Sequence, residues 1–203
     1  MLKFAIMAVA GLAILATPAL AQNAPRPPTT KIGGVVTAVM AQELDLTASD
    51  GSKVVVVLGP KTRIALSTPL AVDDIKAGSY VGAGAMADGK GGNTAVEITV
   101  FPEASRGIGE GFHQWDQGPN STMTNGTVSQ VVGASNRTLT ITYKGGQQQV
   151  TIPDGTPIVQ IAQADASALT VGAHVVVRAF KADDGTLTAG YVTVGASGTT
   201  PPG

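Results

Sequence analysis

The feature that most constrains this chain is its similarity to itself at one fixed spacing. The segments GGVVTAV, LDLT, VVVVLGPKTRI, DDIKAGSYVGAGA and NTAVEITV align, in order, with NGTVSQVV, LTIT, QQQVTIPDGTPIV, ASALTVGAHVVVRAF and LTAGYVTV. Thr62 matches Thr156, Ile64 matches Ile158, Ile75 matches Leu169, Gly78 matches Gly172, Val81 matches Val175 and Ala95 matches Ala189, every pair 94 residues apart. A constant offset through so many positions reads as a tandem duplication, so the fold must be built from two like units.

Each unit is patterned for strands. Val35-Val36-Thr37-Ala38-Val39, Val54 to Leu58 and Val175-Val176-Val177 are β-branched or alternating runs, bounded by Asp-Gly, Gly-Gly or Gly-Pro. Asp50-Gly51 and Gly145-Gly146 suit hairpin turns, where positive φ is needed. Val72 to Lys76 and Asp165 to Leu169 each read as one helical turn followed by a glycine, Gly78 or Gly172. Three strands, a helical turn and two strands predict an all-β fold: two tandem small five-stranded antiparallel barrels resembling the oligonucleotide/oligosaccharide-binding (OB) type. A β-sandwich half or an SH3-like barrel fits the same pattern.

Met1 to Ala21 has Lys3, an apolar run from Phe4 to Ala16, Pro18 and a small-x-small ending at Ala19-Leu20-Ala21. This predicts a signal peptide over 1–21, cleaved on export, and no membrane span after cleavage. Residues 22–30 read as a Pro-rich tether, 31–101 as the first barrel repeat, 102–124 as a connecting strap, 125–195 as the second repeat and 196–203 as a tail. The expected location is periplasmic or secreted. The chain has no cysteine, so neither disulfides nor a lipid-modified N-terminal cysteine enter the argument. Removing Lys3 from 13 Lys and Arg leaves 12 against 14 Asp and Glu, a balance that argues against nucleic acid as a partner.

The strap is where unusual residues gather. FPEASRGIGEGFHQWDQGPNSTMTN holds Phe101, Phe112 and Trp115, and Trp115 is the single tryptophan. Exposing such side chains instead of burying them costs about 1.5–3 kcal/mol each, so the strap should pack on the barrels. Phe112, His113, Trp115 and Asp116 are therefore the candidate ligand-binding residues. Glu110, His113 and Asp116 recur every third residue and form the candidate metal set, since an imidazole with carboxylates can hold a divalent ion. Gly107-x-Gly109-x-Gly111 is no phosphate loop, because no lysine and no helix follow.

Elsewhere the residues have structural explanations. His174 opens a strand, Asp73-Asp74 opens a helical turn and Asp183-Asp184 precedes Gly185 in a turn. No G-x-S-x-G or S-x-x-K occurs and no cysteine is present, which predicts no enzyme, no catalytic residue and no cofactor.

FPEASRGIGEGFHQWD, STMTNGTV, LTITYKGG and the terminal TPPG resemble the domain-of-unknown-function 5666 family of bacterial envelope proteins. They are similar in particular to a secreted proteobacterial subgroup often labelled "metal ABC transporter permease". The resemblance implies β-barrel repeats and a periplasmic home, and it supplies no activity. A permease would need several apolar stretches of about 20 residues, and none follows the leader. The expectation is a non-enzymatic binding or structural protein whose partner is a small molecule, a saccharide or an envelope protein. The alternative is a soluble metal-binding protein or metal-dependent hydrolase using Glu110, His113 and Asp116.

Overall fold

The computed structural model describes residues 28–87, 89, 91–132 and 137–203; the expected signal peptide and most of the expected tether lie outside them. Twelve strands carry the fold: β1 (Thr29–Met40), β2 (Glu43–Ala48), β3 (Lys53–Pro69), β4 (Tyr80–Ala87), β5 (Asn93–Phe101), β6 (Gly111–Gln114), β7 (Ser121–Val132), β8 (Thr138–Tyr143), β9 (Gly146–Thr151), β10 (Ile158–Ala164), β11 (His174–Lys181) and β12 (Leu187–Gly195). Among the described residues helical structure is confined to short 3-10 turns, including Val72–Asp74 and Ala166–Ala168 where the sequence places them. The fold is an all-β barrel fold, and no described helix is long and apolar enough to cross a membrane.

Two closed circuits of strands run through the sheet. In the first, β1, β2 and β3 pair antiparallel in sequence, β3 pairs with β12 in parallel, β12 with β11, and β11 returns to β1. The second circuit is β7, β8, β9, β5 and β4, again with a parallel pairing between its third and fourth members, β9 and β5. Each ring surrounds its own core. Leu44, Leu46, Val56, Val177 and Val192 fill the first, and Val81, Ile98, Leu139, Ile141 and Val150 fill the second. A fully buried side chain of this size contributes about 1.5–3 kcal/mol relative to an exposed one, and rings of five strands are narrow enough for side chains alone to fill them.

The rings do not coincide with the ranges 31–101 and 125–195. Strands β1 to β3 close with β11 and β12 from the far end of the chain, while β4 and β5 close with β7 to β9. The cause is β3, which runs 17 residues without turning back. At about 3.3 Å per residue such a strand outreaches a single small ring, so it delivers the next segment to the neighbouring one. Ile75, just after β3, is buried in the second core, and Leu169, just after β10, is buried in the first. Gly59-Pro60 lies inside β3 and does not end it. In the second half the corresponding stretch, with Pro153 and Pro157, separates β9 from β10. The second half therefore has six strands where five are expected, and the strap adds β6.

The tether and tail differ from expectation too. Thr29 and Thr30 already pair with Phe180 and Ala179. Residues 196–203 form a 3-10 turn and then dock, with Pro201 buried. The turn glycines behave as read: Gly51, Gly78, Gly145 and Gly172 all take positive φ.

Candidate functional site

Residues on the outer faces of β4, β5, β11 and β12 meet where the two rings abut. In β4, Val81, Ala83 and Ala85 point into the core, which turns Gly82 and Gly84 outward. In β11, Val175, Val177 and Ala179 point inward, leaving Val176 and Arg178 outside. Strands β5 and β12 reach the same result through a register shift. Gly84 pairs with Glu97 but Ala85 pairs with Ala95, so Val96 is an extra residue. Likewise Arg178 pairs with Tyr191 and Ala179 with Ala189, so Gly190 is extra. Such a bulge re-aims the side chains beside it, and here it swings Glu97 and Tyr191 out of the cores toward the junction.

A cavity of about 320 Å³ lies at that junction, lined from the second ring by Glu97, Thr99 and Phe101 and from the first by Arg178, Tyr191 and Thr193. Trp115 of the strap and Pro202 and Gly203 of the tail complete its wall. Gly84 has to be glycine for this to form, because a Cβ there would stand 2.6 Å from the Trp115 ring and 3.0 Å from Glu97 Cγ. A Cβ at Gly82 would meet Asn125 Oδ1 at 2.6 Å.

The strap is held by backbone pairing before any side chain acts. β6 pairs antiparallel with β7, Gly111 opposite Asn125 and Gln114 opposite Thr122. Beyond it, Trp115 N–H donates to Ser121 O at 3.0 Å, and the buried Ser121 hydroxyl is within hydrogen-bond distance of Trp115 O and Gly118 O. Consecutive side chains then reach opposite rings. Trp115 lies on Gly84 of the second. Asp116 reaches the first, 4.0 Å from Lys31 Nζ and 3.7 Å from an Arg178 guanidinium nitrogen. Lys31 and Arg178 are cross-strand partners, so their like charges would repel without Asp116. Next, Gln117 Nε2 donates to Gly203 O at 2.6 Å and ties down the tail.

Glu97 is the half-buried charge of this group. Burial pushes its carboxyl above the usual range, Lys31 and Arg178 pull it back, and Asp116 adds to the rise. Burial also raises the Tyr191 phenol, opposed by Arg63, whose guanidinium lies 5.8 Å from the ring centroid.

The residues singled out from sequence divide. Trp115 lines the cavity and Asp116 braces its rim, whereas Phe112, expected to pack, is 42% exposed on β6. His113 is exposed, its Nε2 3.3 Å from Gly109 O. Glu110 accepts from Lys144 N–H at 2.9 Å. Glu110, His113 and Asp116 thus have separate partners, and no group of three or more His, Asp or Glu is placed to hold a metal ion among the described residues. His174 is half-buried at the start of β11, its Nδ1 3.4 Å from the Thr200 hydroxyl. The FPEASRG piece is explained by anchoring. Arg106 bonds Glu103 twice, Gly78 O at 2.8 Å and Thr127 Oγ1 at 2.9 Å, and Tyr80 donates to Ile108 O.

Sequence reasoning missed Glu97 and Arg178 and passed over Tyr191. One signal was present: at the 94-residue offset Glu97 falls on Tyr191 and Gly84 on Arg178, sharp chemical differences inside otherwise matched segments. Comparison with protein-family models, curated proteins and solved structures finds no match for this chain.

Proposed function

We propose that this is a non-enzymatic binding protein of the bacterial envelope, periplasmic or secreted, built from two OB-like repeats and akin to the domain-of-unknown-function 5666 proteins, with its ligand held in the cleft between the rings. The observation that carries this reading is the junction cavity itself. Its volume falls at the lower end of the range for small-molecule sites, and it joins aromatic walls to a few convergent polar groups. Nothing nearby resembles a nucleophile activated by a base, so the chemistry it supports is holding a ligand. The leader-like residues 1–21 support export.

Native mass spectrometry tests the site. The purified chain, exposed to a small-molecule extract of bacterial cells, should retain a discrete adduct, and a Thr193→Trp variant that fills the cleft should lose it. No adduct, or the same adduct on both proteins, defeats the reading. For location, N-terminal sequencing of the exported protein should begin at Gln22, and a chain retained in the cytoplasm with Met1 intact defeats it.

A further inference from the structure

We infer that the cleft takes a neutral, polyhydroxylated ligand of about mono- or disaccharide size, its hydroxyls shared between Glu97 and Arg178 and its C–H face laid on Trp115. This inference rests on the cleft being the ligand site.

Charge balance makes the selection. Glu97 and Arg178 are the charged side chains that line the cleft, Gly203 hydrogen-bonds Glu97 through its backbone, and Asp116 and Lys31 flank the cleft without lining it. An organic cation drawn to Glu97 would also face Lys31 and Arg178. An anion drawn to Arg178 would face Glu97 and Asp116. A hydroxyl both donates and accepts, so a polyol satisfies the carboxylate and the guanidinium together without adding charge. Thr99 and Thr193, one from each ring, add two more groups able to donate and accept.

The aromatic residues favour the same class. Trp115, Phe101 and Tyr191 border the cavity, with the Trp115 ring seated against Gly84 and the Phe101 ring against Gly82. An indole offers a flat apolar surface with a polar edge, which suits a ligand whose hydroxyls lie around its rim and whose C–H groups lie on its face. Asn125 Oδ1, buried beside Gly82 without a partner, is a further acceptor on this wall.

The experiment follows Trp115 emission in the full chain during titration with three probe sets: maltose, trehalose and N-acetylglucosamine as neutral sugars, putrescine as a cation and citrate as an anion. At least one sugar should give a saturable change. Glu97→Gln and Arg178→Gln should each weaken it at least tenfold while melting cooperatively, and putrescine and citrate should give none. Saturable binding of putrescine or citrate without any sugar overturns the ligand class and leaves the cleft as the site. Sugar binding unchanged in both variants overturns the assigned contacts and hence the inference. No response from any probe set overturns it as well. The cleft reading itself then stands or falls on the adduct and its loss in Thr193→Trp.

Discussion

Ser67 of β3 lies directly opposite Ile161 of β10 in an antiparallel pair, and the two are separated by the same 94 positions that relate the matched segments in sequence. Among the described residues, in this pairing alone a residue faces its own counterpart. On either side the partners are mirrored, Leu66 with Ala162 and Thr68 with Gln160. The approximate twofold relating the rings therefore passes through Ser67 and Ile161, and Ile161 also borders the junction cavity. The cleft is a property of the paired units and is absent from either alone.

Because each ring draws strands from both halves, cutting the strap should not release two folded pieces. With a protease site inserted after Gly118, the cleaved protein should elute as one species of unchanged size and melt in one transition. Ring one cannot close without β11 and β12, and ring two cannot close without β4 and β5. Separation into two compact, independently melting fragments under native conditions would refute the exchanged topology.

The Ser67 hydroxyl is buried without a hydrogen-bond partner at this axis. An unpaired buried hydroxyl carries a desolvation cost of about 1–3 kcal/mol, so Ser67→Ala should leave stability unchanged or raise it by about 1 kcal/mol, allowing for the small void left behind. Urea unfolding at equilibrium measures this. A loss above 1 kcal/mol would show that the hydroxyl has a partner, such as a trapped water.

How much of this could be read from the chain depends on whether period-two alternation survives locally. It does in β4, where Val81, Ala83 and Ala85 alternate with Gly82 and Gly84; in β11 burial alternates along Val175-Val176-Val177 although the residue type does not. It fails in β5, where Ala95 and Ile98 both point inward across an interval of three. Strict alternation would put Glu97 on the same face as Ala95, inside a core where a carboxylate is untenable. A bulge leaves no signature in residue type except, in the second half, Gly190. The strand exchange was hidden for another reason: the duplicated pattern is the same whether a unit closes on itself or on its neighbour, and only the length of β3 decides. Trp115 was legible because a lone indole in a polar segment has to find apolar cover. Phe112 obeyed the same logic and escaped it, because β6 pairing fixes alternate side chains on opposite faces and this one faces out.

Gly84 supports the indole directly. Gly84→Ala would bring a methyl within 2.6 Å of Trp115, and overpacking of this kind costs about 1–3 kcal/mol. Trp115 emission should move to longer wavelength as the ring is lifted into water. Gly59→Ala, whose nearest neighbour would be 3.7 Å away, is the control and should leave emission unchanged. An unshifted spectrum in Gly84→Ala would mean that the indole does not rest there.

Glu97 makes stability depend on pH with a definite sign. Burial raises its carboxyl above the unfolded value, against Lys31 and Arg178, with Asp116 adding to the rise, so the folded state holds this proton more tightly than the unfolded one. Its contribution is full at pH below the ordinary glutamate range and fades as pH climbs through the raised value. Glu97→Gln should therefore melt higher than the native chain at pH 7, with the gap closing toward pH 4. A gap that widens on acidification would reverse the assignment and make Lys31 and Arg178 the dominant influence.

The two side chains that brace the strap should contribute unequally. Asp116 is half exposed and its carboxylate oxygens lie 3.7 Å from an Arg178 nitrogen and 4.0 Å from Lys31 Nζ; pairs of this sort are worth about 0–1 kcal/mol and weaken with salt. Trp115 covers apolar surface on β4, and truncating a large buried aromatic costs about 3–5 kcal/mol, so a half-buried one should cost about 2–3. Trp115→Ala should thus destabilise the chain several times more than Asp116→Asn, and only the latter difference should disappear in 1 M NaCl. The comparison decides what clasps the rings together. If Asp116→Asn proved the costlier change and stayed so in high salt, the strap would be held by a desolvated ion network, and the indole would be free to move for an incoming ligand.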